Sequence, residues 1–288
     1  MAPAALATAE SPAVAPISKR WRWGWIGEVA VMAALYQLYD VARALVTGGT
    51  AESFANAKGI IDAEKWLGIY WERPIQRAFL DTDWFIVFWN WWYGTVHFLI
   101  PAAALVVLYR KMPARYVRWR NTLVAMWAVG VLTFWLYPLM PPRLMPPGYD
   151  CPGEKPCIVD TAVGYTNLGP RLKLEFKANG EPTKATLDQY ANPYAAMPSF
   201  HIGWSTFTAL AIWPFLRRRW MRVATFAYLG SVIFCITVTG NHWLLDVPGG
   251  WLVVGAGYAA AVLFERGQAT VRDARLRARR ASAGADGG

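Results

Sequence analysis

The sequence predicts an all-α integral membrane protein, a bundle of six transmembrane helices with both termini in the cytoplasm. The chain has 288 residues, 55% of them hydrophobic, and several of its apolar runs exceed the roughly 18 residues that can cross a bilayer. It contains 17 Trp, and many of them fall at the ends of those runs, where amphipathic rings meet the lipid headgroups. Clusters of Arg and Lys separate the runs.

The basic clusters determine the orientation. The predicted spans cover residues 24–46, 84–109, 119–140, 198–216, 221–239 and 243–264. The clusters lie in residues 19–22, 110–120, 217–222 and 266–275. With six spans, all four clusters fall on one side, whereas one missed span would scatter them. The positive-inside rule makes that side the cytoplasm.

The net charge of +10 could indicate a nucleic-acid-binding protein. The positions of the charges argue against nucleic acid, because they flank apolar runs instead of forming one continuous patch. We expect them to meet anionic lipids at the cytoplasmic face of the membrane.

Composition divides the chain into three regions. Residues 1–20 are rich in Ala and Pro, and their first 18 residues carry no basic side chain, unlike the start of a signal peptide. We expect a disordered tail there, followed by an uncleaved first span. Residues 21–266 form the six-helix membrane domain. Residues 267–288, rich in Ala, Arg and Gly, are predicted to be a disordered basic tail.

Two longer segments reach the outer face. A periodic, charged stretch near residues 51–71 predicts an amphipathic helix that lies on the membrane. Residues 141–197 form a long loop rich in Pro, Gly and charge. This loop contains Cys151 and Cys157, and because an extracytoplasmic face permits disulfides, we favour a bridge over two free thiols.

Two histidines and an aspartate carry the predicted chemistry. His201 opens the fourth span, and His242 follows the fifth, so both should lie at the outer face. If the sixth span begins near His242, its i, i+4 partner Asp246 shares a helix face with it and can accept the Nδ1–H. Nε2 could then attack phosphorus while His201 protonates the leaving oxygen. The simpler alternative is a structural His–Asp pair.

A phosphoryl group also needs donors and cations around it. Pro198 suits the first turn of a helix, which would leave the N–H groups of the following residues free to bind an anion. The Ser199 hydroxyl could donate to phosphate or only cap the helix, and the sequence leaves both open. Arg143, held by neighbouring prolines, is the best candidate cation. Arg171 and Lys173 are weaker, since solvated loop charges are the commoner case.

The third histidine, His97, lies near the middle of the second span within a polar tract. A functional and a structural role are equally open, and we leave it outside the catalytic set. The sequence contains no HExxH motif, no carboxylate cluster and no Cys/His quartet. A G-x-S-x-G elbow is absent too. We therefore expect chemistry that needs neither a metal nor another cofactor.

These motifs resemble those of the PAP2 superfamily, the type 2 phosphatidic acid phosphatases. The family's P-S-G-H motif resembles residues 198–201, with Phe200 in place of Gly, and its H-x-x-x-D motif matches His242 to Asp246. The resemblance implies that His242 is the nucleophile, Asp246 its orienting partner and His201 the general acid. It covers roughly residues 84–264.

Other parts of the family pattern are missing. The first motif, K-x6-R-P, is out of register by one residue at Lys65 and Arg73, and the S-R that opens the third motif is replaced at residues 235–236. The usual phosphate-clamping cations therefore do not carry over. Met-Pro-Ser-Phe-His, Pro-Pro-Arg and Gly-Asn-His, the last including Asn241, are similar to the branch that contains inositol phosphorylceramide synthases.

The predicted function is hydrolysis or transfer of a lipid phosphate ester at the outer leaflet of the cell membrane. The expected partners are a phosphate-bearing lipid and, for transfer, an alcohol or polyol acceptor. The alternative is a non-enzymatic transporter or scaffold that uses the His/Asp cluster to bind a ligand or protons.

Overall fold

The computed structural model describes residues 24–150, 157–161 and 192–285, with side chains up to residue 277. In these ranges the chain is helical, without strands; one residue pair, Leu139 and Ala195, forms an isolated parallel bridge. The helices are α1 (Gly24–Leu45), α2 (Thr50–Leu67), α3 (Glu72–Phe79), α4 (Asp83–Lys111), α5 (Pro113–Leu136), α6 (Phe200–Ile212), α7 (Arg219–Val238) and α8 (Asp246–Ala285). Short 3-10 turns lie after α5, at Pro142–Leu144, and after α6, at Trp213–Phe215.

Contacts divide the chain into two compact units. The first, Met1–Gln37, contains the first part of α1 among its described residues. The second, Leu38–Gly288, contains the end of α1 and all later helices. Every side chain discussed below as part of the candidate site belongs to this second unit.

Three helical segments in the described chain are long and apolar enough to cross a membrane: Asp83–Lys111, Arg219–Val238 and Asp246–Arg277. A fourth candidate is the pair Gly24–Leu45 and Thr50–Leu67, which qualifies only as a pair bent by 97°. These candidates agree with the prediction of an all-helical membrane protein.

The remaining predicted spans fall on helices that do not meet the same criterion. Helix α6 has 13 residues, and at 1.5 Å per residue it extends about 20 Å, short of the roughly 30 Å hydrocarbon core. Helix α5 is longer but begins with several Arg side chains, which lower its mean hydropathy. The six-span arrangement and the position of the termini therefore stay predictions.

Close helix packing brings the starts of α6 and α8 together. Helix α8 packs along α5 and α6, and two of its glycines face those neighbours. A Cβ on Gly257 would lie 2.9 Å from the Thr122 carbonyl oxygen, and one on Gly250 would lie 2.7 Å from the Ser199 carbonyl oxygen. Larger side chains would push the helices apart, and with them the residues at their amino ends.

Helix α2 lies against the connections between the other helices. It ends at Gly68, whose positive φ of 70° forms the left-handed cap that glycine favours. The Asn56 amide donates to the Pro138 carbonyl at 2.8 Å, the Ser53 carbonyl accepts from the Met140 N–H at 3.2 Å, and Lys65 pairs with Asp150. All these partners follow α5, so α2 lies across one end of the bundle, next to the segment that leaves α5.

The carboxyl end of the chain differs from its prediction. Helix α8 continues to Ala285, so residues 267–285, which we expected to be disordered, are helical in the structure. Ala, Arg and Leu have high helix propensity. Extending an existing helix also requires no new nucleus, which a composition-based prediction of disorder ignores.

Several predicted features lie outside the described residues. They are the amino-terminal tail, Cys151 with its predicted bridge, Arg171 and Lys173. Cys157 is described and buried.

Candidate active site

His242 is held in one orientation by two acceptors. Its Nδ1 lies 2.8 Å from the Ala196 carbonyl oxygen and 3.1 Å from Asp246 Oδ2. A carbonyl oxygen has no proton to donate, so Nδ1 carries the hydrogen and Nε2 keeps its lone pair. The imidazole is therefore in the tautomer that a nucleophilic Nε2 requires.

The His242–Asp246 contact arises from a turn. The sequence had predicted a shared helix face instead. Helix α8 begins at Asp246, so His242 precedes it. The carboxylate Oδ2 also accepts the Trp243 N–H at 3.0 Å, which folds the chain back over the start of the helix. Gly240, with a positive φ of 67°, turns the chain after α7. Spacing alone could not distinguish this turn from a helix, because both bring i and i+4 close.

Trp243 anchors the same turn. Its ring is fully buried, its Nε1–H donates to the Met140 carbonyl at 2.9 Å, and it stacks near Tyr70 with centroids 6.4 Å apart. The aromatic ring next to His242 therefore packs into the protein, whereas we had expected a residue at the headgroup level. A Trp at the end of an apolar run can serve either role.

His201 stands opposite His242 at the start of α6. The two ring centroids are 5.5 Å apart. Ser199 is the N-cap residue, and its hydroxyl accepts from the Ile202 N–H at 3.4 Å. Ser199 is also fully buried, and its hydroxyl caps α6, which is one of the two roles left open by the sequence.

The start of α6 differs from its prediction at Pro198. The helix begins two residues later, at Phe200, and Pro198 precedes the N-cap in a cis peptide bond with Met197. The Ser199 N–H is not free for an anion, because it donates to the Asp246 carbonyl at 3.4 Å. This bond links the His201 segment directly to the first residue of α8.

Tyr93 and His97 are site residues that the sequence analysis did not select. The Tyr93 ring stacks on His201 with centroids 3.9 Å apart, and the His97 and His201 centroids are 4.1 Å apart. The two residues are four apart on α4, so they share a helix face. The spacing indicated that Tyr93 and His97 lie side by side on α4. It could not show that this face of the helix points toward α6.

Arg143, the predicted phosphate-binding cation, is buried beside a carboxylate. Its Nη1 lies 2.7 Å from Asp160 Oδ2, and the pair is almost fully enclosed. Its backbone N–H donates to the Gly240 carbonyl at 2.9 Å, two residues before His242. The Arg143 backbone therefore lies next to the His242 turn, and its side chain has a charged partner that the sequence did not reveal.

The segment that supplies Asp160 is fixed by amide side chains. Gln76 of α3 exchanges two hydrogen bonds with Val159, at 2.7 and 2.9 Å. Asn90 of α4 does the same with Thr161, at 2.9 and 3.1 Å. These bonds hold Val159 and Thr161 against α3 and α4, and the Thr161 hydroxyl also donates to the Thr239 carbonyl at the end of α7.

Two further polar residues lie at the edge of the site. Asn241 is partly exposed, and its amide donates to the Thr239 hydroxyl at 2.8 Å. Arg43, at the end of α1, pairs with Asp40 at 2.8 Å and lies within electrostatic range of His201 and Tyr93. The sequence analysis did not select Arg43, which is far from any motif along the chain.

Within residues 24–150, 157–161 and 192–285, no three His, Cys, Asp or Glu side chains are grouped as in a metal site. The site brings together three imidazoles, a buried carboxylate and nearby guanidinium groups. These groups can attack, protonate and stabilise a phosphoryl group.

Comparison with known proteins supports this reading of the motifs. No protein of curated function and no solved structure matches the chain. A family model described as the PAP2 superfamily matches residues 58–260. The match includes His201, His242 and Asp246 and extends over more than half of the chain. The chain therefore belongs to the PAP2 superfamily.

Proposed function

We propose that this protein is a membrane lipid phosphatase or phosphotransferase that forms a phosphohistidine on His242. Members of the PAP2 superfamily are generally phosphatases. The observation that carries the proposal is the orientation of His242, whose Nδ1 lies 2.8 and 3.1 Å from two acceptors. In the neutral ring, that orientation places the proton on Nδ1 and the lone pair on Nε2, which points away from both acceptors.

In the first step, His242 Nε2 attacks the phosphorus of a lipid phosphate ester and forms a P–N bond. The P–O bond to the leaving alcohol breaks, and protonated His201 gives its proton to the departing oxygen. Asp246 stabilises the positive charge that develops on the His242 ring, as the carboxylate does in a catalytic triad.

In the second step, water or an acceptor alcohol attacks the phosphohistidine. His201, now neutral, removes the proton of the attacking hydroxyl, and the P–N bond breaks to restore His242. Water yields free phosphate or a phosphomonoester, and an alcohol yields a new phosphate ester. The same residues therefore serve hydrolysis and transfer.

Cations near the two histidines would stabilise the phosphoryl oxygens. Arg143 and Arg43 are the candidates, since one approaches through the turn before His242 and the other lies near His201. Arg171 and Asn241 are secondary candidates for phosphate contacts. The buried capping role of Ser199 favours the arginines over its hydroxyl.

The membrane setting is part of the proposal. We place the reacting bond at the outer leaflet of the plasma membrane, in a six-span protein with cytoplasmic termini, because that arrangement gathers the basic clusters on one side. The apolar helices α4, α7 and α8 support a membrane location. The lipid tails would lie between helices.

Transfer to an alcohol or polyol, as in the inositol phosphorylceramide synthase branch, is the more specific form of the proposal. Residues 197–201 and 240–246 support it through their similarity to that branch. The 4% exposure of His242 also favours transfer, since restricting water protects a phosphoryl intermediate from hydrolysis.

The test uses purified protein and a panel of labelled lipid phosphates and phosphodiesters, with and without inositol and other polyols. Free phosphate and new phospholipid are measured together. Free phosphate without an acceptor would identify a phosphatase, and a new phosphodiester that requires a polyol would identify a transferase. His242→Ala should abolish both products.

The phosphohistidine is tested on the same protein. His201→Ala should accumulate label on His242 because the second step loses its base, while His242→Ala should carry none. Unchanged unfolding temperatures would show that both variants are folded. A His242→Ala protein with full activity would contradict the mechanism. A wild type that forms no product and no phosphohistidine across the panel would favour the transporter or scaffold alternative.

A further inference from the structure

Two fully buried glutamates hold the backbone next to His242. Glu64 is near the end of α2, and Glu72 is the first residue of α3. Glu72 Oε1 accepts the Leu244 N–H at 2.7 Å, and Glu64 Oε1 accepts the Leu245 N–H at 2.7 Å.

The two N–H groups belong to the turn that carries the candidate active site. Leu244 and Leu245 lie between His242 and Asp246, immediately before α8. N–H groups at a helix start have no partner within the helix, and a carboxylate is a favourable acceptor there. The glutamates therefore cap α8 from outside, with side chains supplied by two other helices.

The second oxygen of each carboxyl group lacks a protein donor. Glu64 Oε2 and Glu72 Oε2 are buried, and among the described residues neither has a hydrogen-bond partner. The two carboxyl groups are neighbours, because they accept from the consecutive N–H groups of Leu244 and Leu245. A proton on one of them would satisfy both atoms, whereas two ionised carboxylates in contact would repel each other.

Burial and the neighbouring Glu72 carboxylate raise the pKa of Glu64 to about 9, and burial also raises the pKa of Glu72. Both groups lie outside the six predicted spans and outside the three single helices that could cross a membrane, at the end of the bundle crossed by α2. At neutral pH Glu64 therefore carries a proton, which it can donate to the Glu72 carboxyl group.

We propose that Glu64 and Glu72 are positioning residues of the active site, which share one proton and hold Leu244 and Leu245 so that His242 stays in contact with Asp246. Neither side chain touches the reacting atoms in this proposal. Its effect on turnover rests on the proposed function, but the contact itself can be tested without any activity.

A purely apolar pair of the same size would fill this space at a lower desolvation cost. It could not accept two backbone N–H groups from the turn before α8. An unpaired buried N–H costs free energy, so removing either acceptor should loosen residues 243–246 first. This local effect distinguishes positioning from a general contribution to the core.

The main test is hydrogen–deuterium exchange of the purified protein in detergent. Glu72→Ala should raise exchange in peptides covering Leu244 and Leu245 by about tenfold or more. Glu72→Gln should stay close to wild type, because its amide oxygen still accepts the Leu244 N–H. Glu52→Ala, an exposed change on α2, is the matched control and should leave these peptides unchanged.

The shared proton gives a second, pH-dependent test. The charged and titratable groups around the pair are Asp246 on the turn, Tyr70 between α2 and α3, and Lys65 with Asp150. The folded state binds the proton more tightly than the unfolded state, so its stabilisation is complete below the ordinary Glu value of about 4.5 and is lost as pH rises toward about 9.

Raising the pH to 9 should therefore increase exchange at Leu244 and Leu245 in the wild type, relative to a peptide from the middle of α5. Glu64→Gln should remove this increase, since its neutral amide can donate to Glu72 Oε2 without a titrating proton. Equal pH responses in wild type and Glu64→Gln would refute the shared proton, even if the alanine variants failed to fold.

Turnover supplies the last readout, with the phosphate ester that proves most active in the panel. Glu72→Ala should lower kcat more than it raises KM, and Glu72→Gln should restore most of kcat. Raised exchange with unchanged kcat would overturn the positioning role. If the panel yields no product for the wild type, the proposed function fails, while the exchange result still decides whether the glutamates hold the turn.

Discussion

The orientation of His242 depends on two separate parts of the chain, its own turn and the segment before α6. Asp246 Oδ2 binds both His242 Nδ1 and the Trp243 N–H, and the Ala196 carbonyl supplies the second acceptor for the ring. One carboxylate therefore sets the tautomer of the histidine and the shape of the turn. Changes to its charge and changes to its acceptor atoms can be separated by mutation.

Asp246→Asn should lower kcat by about 100-fold or more with little change in unfolding temperature. The amide can still accept the Trp243 N–H, but it cannot stabilise a positively charged imidazole and can favour the wrong tautomer. Phosphohistidine formation in a single turnover and thermal unfolding are the two measurements. A kcat within a factor of two of wild type would show that Asp246 has only a structural role.

Arg143→Ala should destabilise the protein as well as reduce activity. Removing the guanidinium leaves Asp160 buried without its charged partner, which typically costs about 3–5 kcal/mol. Asp160→Asn on the same background should recover part of the lost stability. If the single variant keeps the wild-type unfolding temperature, the ion pair does not stabilise the fold. Phosphate binding would then be the remaining role for Arg143.

Arg43→Ala is the matched comparison for the second cation. Its side chain is about 30% exposed and its partner Asp40 is exposed further, so loss of this pair should cost little stability. We expect a higher KM with nearly unchanged unfolding temperature. Kinetics identical to those of wild type would remove Arg43 from the phosphate site.

At the scale of the helices, the packing of α5 against α6 explains the unusual residue in the P-S-F-H motif. A Cβ on Gly130 of α5 would lie 2.2 Å from the Phe200 ring. The ring also contacts Tyr39, Phe134 and Trp204. Phe200 is therefore a packing residue that holds the start of α6, and Gly130 provides its space.

Gly130→Ala should lower stability by about 1–3 kcal/mol, because the added methyl group overlaps the Phe200 ring. On its own, alanine in a helix is favourable, so a loss of stability identifies the clash. Gly94→Ala on α4, where a Cβ meets open space, is the control. Thermal unfolding of Gly130→Ala/Phe200→Leu should show recovery; equal losses in the single and double variants would contradict the explanation.

At the scale of the whole molecule, the orientation in the membrane is the proposal with the widest consequences. The α2 helix and the His242 turn lie at the same end of the bundle, because Glu64 of α2 accepts the Leu245 N–H of that turn. The basic residues 217–219 lie at the other end of α6 and before α7. The positive-inside rule places the second group in the cytoplasm.

Single cysteines can test this orientation in whole cells with a membrane-impermeant maleimide. Glu52→Cys, exposed on α2, should react from outside, and Arg218→Cys, exposed before α7, should react only after permeabilisation. The protein without an introduced cysteine measures background labelling. The reverse pattern would place the active site on the cytoplasmic side. Labelling of both cysteines from outside would contradict the six-span topology.

The sequence by itself indicated the helical class, the apolar helices that could cross a membrane and the PAP2 resemblance, and it selected His201, His242 and Asp246 as catalytic candidates. Apolar runs, Trp positions and short motifs are local properties, and they can be read along the chain. Hydropathy also indicated α4, α7 and α8, which are long and apolar enough to cross a membrane. Hydropathy could not establish α6 as a span. This helix has only 13 residues, and its position depends on the helices that pack against it.

The tertiary structure decided which residues surround the two histidines. Asp160, Tyr93, His97 and Arg43 reach the site from three different segments, and Glu64 and Glu72 reach the turn before α8 from two more. The tertiary structure also showed that His242 contacts Asp246 within a turn and that the Ser199 hydroxyl caps α6. Such contacts join residues distant along the chain, and their geometry depends on helix packing, which no local pattern in the sequence specifies.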